Sequence, residues 1–166
     1  MRSRPAAQWP AAGLLAVTLA GSALGQEQCS AIQWRRVDEG SFSFELPNGL
    51  ARVNVRGDDS RVGAFESQSM RVAYDYGSWL LWLGDDLQAP GPHQQSAQIG
   101  GHPVTIISAS HDLGGRSEYR HLRAAQFELP PTEQVARTRY LTLTVRFNGE
   151  CDDAISRRIV ESIRFD

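Results

Sequence analysis

Three histidines, His102, His111 and His121, share one stretch of the chain with Asp112 and Glu118, and these are the residues best able to do metal or acid–base chemistry. Zinc requires three or four converging ligands. The chain contains neither H-x-H nor H-E-x-x-H. His111 and Asp112 resemble a base with its orienting carboxylate, with Ser108 or Ser110 nearby as a nucleophile. Neighbours along a strand point to opposite faces, however, and no G-x-S-x-G turn accompanies them. Surface or turn positions are the default for these histidines. A small metal-dependent or hydrolytic enzyme using His102, His111, His121 and Asp112 is the alternative. No catalytic, cofactor-binding or metal residue is assigned.

Other groups invite similar weighing. Asp-Asp occurs at Asp58-Asp59, Asp85-Asp86 and Asp152-Asp153. Two such pairs could offer oxygens to a hard cation, but none matches the calcium loop D-x-[DN]-x-[DN]-G, and turns or a helix start account for each. Arg56-Gly57-Asp58 spells the tripeptide read by adhesion receptors, but a glycine followed by Asp58, Asp59 and Ser60 is also what a strand-to-strand turn requires. Trp79, Trp82 and Leu83 fall at helical spacing, suiting a core-facing turn of helix over 78–83 or, with Tyr76, an aromatic platform for a small ligand. Arg116, Arg120, His121 and Arg123 could grip an anion through guanidinium forks or form a solvated strand face.

All 17 basic side chains are arginine. Without lysine, Schiff-base chemistry, a lysine general base and a P-loop lysine are excluded. Residues 1–25, with Arg2 and Arg4 ahead of the apolar run 11–24 and small residues at the end, read as a signal peptide. Removing them leaves 141 residues, 26–166, one domain in length, with 15 Arg against 19 acidic groups, a net charge of −4. Interspersed signs and negative charge argue against nucleic acid as a partner. No later apolar stretch is long enough to span a bilayer as a helix. Export favours a disulfide between Cys29 and Cys151, which would close nearly the whole domain and contribute up to about 4–5 kcal/mol. Lipidation at Cys29 is disfavoured by the preceding Gln26-Glu27-Gln28.

The elements that must position these groups are mostly strands. Phe42, Phe44 and Leu46 alternate with polar residues before the turn Pro47-Asn48-Gly49, and 51–55, 62–64 and 70–76 continue the alternation. Strands are also predicted at 104–108, 118–129 and 138–147. Residues 88–96 read as a polar, proline-containing loop. Over 152–165 the period changes: Ile155, Ile159 and Ile163, with Val160 beside them, mark an amphipathic helix. The expectation is an α+β domain, an antiparallel sheet of about six strands with a C-terminal helix packed on it.

The order "FSFELP", "GDDSRVGAFES", "VAYDYG", "IGGHPVTIIS" and a closing "IVESIRF" resembles uncharacterised exported bacterial proteins with a PsbP-like arrangement, also seen in Ran-binding Mog proteins. The resemblance implies an antiparallel sheet flanked by helices and brings no catalytic residues. With no nucleophile motif, metal constellation, cofactor loop or lysine in the sequence, the expectation, to which the resemblance adds by analogy, is an exported, periplasmic or secreted, non-enzymatic interaction or accessory domain without cofactor, its partner a protein or small ligand. A small-ligand carrier using Tyr76, Trp79 and Trp82 is a further alternative.

Overall fold

A computed structural model describes residues 32–81, 83, 92–110, 118–133 and 136–166. The expected leader 1–25, Cys29, Trp82, Asp85-Asp86, His111, Asp112 and Arg116 lie outside the described residues. In chain order come β1 (Trp34–Asp38), β2 (Phe42–Pro47), β3 (Ala51–Val53), β4 (Arg61–Glu66), β5 (Met70–Gly77), β6 (His93–Ile99), β7 (His102–Ser110), β8 (His121–Leu129), β9 (Arg139–Phe147), α1 (Glu150–Glu161) and β10 (Arg164–Phe165). All strand pairs are antiparallel. They form a three-stranded sheet, β1-β2-β10, and a seven-stranded sheet, β3-β4-β5-β9-β8-β7-β6.

This corrects the expected α+β, PsbP-like fold of about six strands: the described residues are mostly β, with ten strands in two sheets and one short helix among them. The additional strands carry little burial signal. In β1 only Val37 is buried, in β6 only Ile99, and β10 is two residues long. The polar loop expected over 88–96 instead enters β6 at His93.

Aromatic and aliphatic side chains from both sheets and the helix meet in one core. Phe42, Phe44 and Leu46 of β2 face Met70, Val72 and Tyr74 of β5 and Leu141, Leu143 and Val145 of β9, while Ile159, Val160 and Ile163 close it from the C-terminal segment. Each such side chain, fully buried, contributes roughly 1.5–3 kcal/mol. Gly63 lies directly across from Tyr74, whose ring occupies the space a Cβ at Gly63 would need.

The helix is shorter than its periodicity suggests. At its start, the Asp152 carboxylate accepts the Gly149 N–H at 2.9 Å, satisfying a backbone donor and complementing the helix dipole. At its end, the Ser162 hydroxyl donates to the Ile159 carbonyl at 2.7 Å and accepts the Glu45 N–H at 2.8 Å. That contact fastens the turn to β2, so that Arg164 and Phe165 pair with Ser43 and Phe42 instead of continuing the helix.

The connection from β5 to β6 must travel from one side of β9 to the far edge of the sheet. Leu83 is buried with Ile107 and Ala124, and the Gln126 amide donates to the Leu81 carbonyl at 3.1 Å, so Leu81 and Leu83 lie over the sheet face opposite the main core. The described part of 78–83 contains no helix, correcting that expectation.

Candidate binding cleft

At one end of the large sheet, the ends of five strands surround a cleft of about 770 Å³. Tyr76 arrives at the end of β5, Leu129 at the end of β8, Arg139 at the start of β9, His102 at the start of β7, and Phe165 from β10. The Gly40-Ser41 turn forms another wall, and Glu133 and Asp166 stand at the exposed rim. Aromatic contacts fix the apolar part: the Phe165 ring meets Phe127 at 5.0 Å and His102 at 4.7 Å, and Tyr76 meets Phe42 at 5.6 Å. An apolar floor with a few polar groups around it is the usual makeup of a small-molecule or side-chain binding site.

The Gly40-Ser41 wall is held from below. The Asp38 carboxylate accepts the Gly40 N–H at 2.8 Å, and the Glu39 N–H donates to the Phe42 carbonyl at 3.0 Å. Gly40 has a φ of +82°, a left-handed conformation that favours glycine. The nearly buried Glu39 carboxylate receives Arg52 at 3.1 Å, and Arg61 donates to the Glu39 carbonyl. Arg52 also donates to the Tyr74 hydroxyl at 3.4 Å and lies over the Phe65 ring at 5.4 Å. Burial foremost, then the Glu39 carboxylate, push the Tyr74 phenol far above its usual ionisation range.

Beside the cleft lies an apolar surface. Arg139 donates to the Ser78 hydroxyl at 3.1 Å, and the next three residues, Trp79, Leu80 and Leu81, are 74%, 48% and 40% exposed. The core-facing expectation for Trp79 is therefore corrected; Leu83 alone of the described pair is buried. Burial of Leu83 on Ile107 and Ala124 turns the preceding residues outward.

His102 and His121 do not converge. Pairing sets Ser110 opposite His121 at one end of β7, while His102 begins the other end, so the two imidazoles lie about 27 Å apart along the strand. The His121 ring stacks on Phe147, with Nδ1 3.3 Å from the Ser110 hydroxyl. Ser108 pairs with Arg123 in the register. No cluster of three metal-ligating side chains is found among the described residues.

The arginine segment is similarly divided. Arg123 is largely buried beneath α1, donating to the Asp153 carboxylate at 3.0 Å, the Asp153 carbonyl at 2.9 Å and the Ser156 hydroxyl at 2.6 Å. Arg120 is exposed, with its N–H bonded to the Asn148 side chain. Thus Arg123 attaches helix to sheet. Arg56, Gly57 and Asp58 lie exposed in the β3–β4 connection, where a Cβ on Gly57 would come within 2.6 Å of the Ser60 carbonyl oxygen. Close backbone approach, rather than a positive φ, requires this glycine. Asp58 and Asp59 are likewise exposed in that connection, whereas Asp152 and Asp153 serve the helix.

Sequence reading groups Tyr76 with Trp79 and Trp82 around a small-ligand pocket and weighs His102 for metal or acid–base chemistry; of these Tyr76 and His102 line the cleft, and Leu129, Arg139 and Phe165 were missed. Phe165 was read as the last helical residue; Arg139 as one member of an alternating strand. Comparison with protein-family models found no match, nor did comparison with curated proteins. Neither comparison bears on the PsbP-like resemblance.

Proposed function

We propose that this chain is an exported, non-catalytic interaction domain that holds a partner protein's apolar segment on the surface formed by Trp79, Leu80 and Leu81 and in the adjoining cleft. The observation that carries the reading is Trp79, three-quarters exposed one residue from the Ser78–Arg139 hydrogen bond at the cleft wall. Tryptophan at an accessible, rigidly founded position supplies a large contact area at low entropic cost and is enriched among residues dominating binding energy. Tyr76, Leu129 and Phe165 offer a concave receptor for a neighbouring side chain. Arg139 on the wall and Glu133 and Asp166 at the rim give polar contacts that set orientation.

Export would place the domain in the periplasm or outside the cell. There a Cys29–Cys151 bridge would tie the N-terminal arm to the first turn of α1, where Cys151 sits half-buried. Among the described residues, no helix is long and apolar enough to cross a membrane.

The test is selection of displayed peptides on the purified chain, followed by affinity measurements on variants. Selected peptides should carry aromatic or aliphatic anchors and bind Trp79→Ala and Leu129→Arg at least tenfold more weakly, with unchanged thermal stability for Trp79→Ala. Peptides that bind both variants as well as the parent would overturn the assignment. So would hydrolytic turnover abolished by His102→Ala.

A further inference from the structure

We infer that β6 is a dimerisation edge, along which two copies of this chain join their large sheets by antiparallel pairing about a twofold axis through Ser96. This surface is separate from the cleft and does not depend on it.

Among the described residues β6 ends the seven-stranded sheet, so one side of its backbone has no strand partner there. Its seven residues, "HQQSAQI", are mostly exposed; only Ile99 is buried. Natural proteins protect such an edge with lysine or other charges, proline, a bulge or extreme shortness. Along His93–Ile99, among the described residues, none of these devices is found. The strand pairs with β7 in unbroken register from His93 to Ile99, contains no proline and carries no Asp, Glu, Arg or Lys. The opposite edge, β3, is only three residues long and includes Arg52. Absence of charge extends well beyond β6: no acidic or basic residue other than histidine occurs from Leu87 through Ser110, in a chain that is 22% charged.

The edge is complementary to itself. With Ser96 opposite its own copy, Gln94 faces Gln98 of the second chain, Gln95 faces Ala97, and His93 faces Ile99. On one face the glutamine pairs can exchange amide hydrogen bonds on both sides of the central serines. On the other, Ala97 lies opposite the aliphatic stem of Gln95 and Ile99 stays in its own core, so no like-charge encounter arises. A twofold operation makes every contact occur twice and closes the assembly at two chains, leaving β3 as the short outer edge of a continuous fourteen-stranded sheet. A charged extended peptide would find no complementary charge on β6, whereas a second copy brings no charge that needs compensation.

The register makes a charge test specific. Sedimentation equilibrium of the exported chain over about 10–500 μM, a range suited to a small interface, should show a monomer–dimer equilibrium. Gln94→Lys combined with Gln98→Lys puts like charges opposite each other twice and should weaken dimerisation about 25-fold, taking roughly fivefold per pair. Gln94→Glu combined with Gln98→Lys puts opposite charges at the same two contacts and should tighten it relative to the double lysine variant. All these positions are exposed in the monomer, so thermal unfolding at low concentration should be preserved.

Cysteine capture checks the axis independently. Directly opposed Cα atoms lie about 4.5–5.5 Å apart, within disulfide range, so Ser96→Cys should oxidise to a covalent dimer. Gln98→Cys places its thiols about 13 Å apart along the strands and should stay uncrosslinked. A chain that remains monomeric across the series overturns the proposal. So does a dimer indifferent to the charge pairs, or one captured as readily through Gln98→Cys as through Ser96→Cys.

Discussion

Gly63→Ala should be disproportionately costly for the exchange of one hydrogen for a methyl group. Gly63 faces Tyr74 across the β4–β5 pair, and a Cβ there would lie 2.4 Å and 2.5 Å from two ring carbons and 2.6 Å from the phenol oxygen. Ordinary carbon contacts begin near 3.5 Å, so the ring would have to retreat by about 1 Å. It has little room. Phe42 holds Tyr74 edge-on at 5.1 Å and Phe44 at 6.2 Å, while Arg52 bonds its hydroxyl. Overpacking a tight core costs about 1–3 kcal/mol, and loss of the Arg52 contact adds about 0.5–1 kcal/mol, giving roughly 2–4 kcal/mol in all. At about 2–4 °C per kcal/mol for a domain of this size, the melting temperature should fall by roughly 5–15 °C. The decisive assay is a double-mutant cycle by urea unfolding. In a Tyr74→Leu background, which removes the ring, Gly63→Ala should cost less than about 1 kcal/mol. An equal cost in both backgrounds would show that the ring is not what excludes a side chain at Gly63.

Tyr74 also sets an alkaline limit on stability. Its phenol ionises near about pH 10 in the unfolded chain but much later in the native one, so the stability associated with the neutral phenol is complete below that value and is lost as pH rises through the native transition. Tyr74→Phe should therefore be destabilising at pH 7 and progressively less so between about pH 10 and 11, measured by urea unfolding; a pH-independent difference refutes this. Asp75 is raised above the usual carboxylate range by burial, against the lowering effect of the Ser60 hydroxyl at 3.0 Å. Its contribution is complete in acid and lost as pH rises through the native pKa, so Asp75→Asn should gain stability relative to the parent at neutral pH and lose that advantage at about pH 3. Arg123→Met keeps much of the aliphatic stem but removes three hydrogen bonds between β8 and α1. Because Asp153 stays half-exposed and solvated, the expected cost is about 1–3 kcal/mol in urea unfolding rather than the larger penalty of stranding a fully buried charge.

Sequence periodicity located the elements whose two faces meet different surroundings. β9 was legible because "TRYLTLTVRF" is β-branched and aromatic throughout, and α1 because Ile155, Ile159 and Ile163 recur at the helical interval. β6 was illegible for the opposite reason: most of its side chains are exposed, so neither face selects apolar residues. The end of α1 was misread because Ile163 fits the helical stripe equally well when buried from the turn after Ser162. The cleft depends on strand ends brought together by the order β5-β9-β8-β7 and by the return of β10, which no local pattern encodes. Trp79 was misplaced because helical spacing with Trp82 and Leu83 implied a helix where the described residues form none.

The place of β9 in the sheet dictates when the molecule becomes whole. It sits between β5 and β8, yet it is the last long strand to emerge during synthesis. Until residues 139–147 are available, the β3-β4-β5 and β6-β7-β8 meanders have no seam between them, and each offers a bare flank to any other unfinished chain. Folding is thereby committed late and through contacts distant in sequence, a topology associated with slow maturation and with a need for chaperone shelter beforehand.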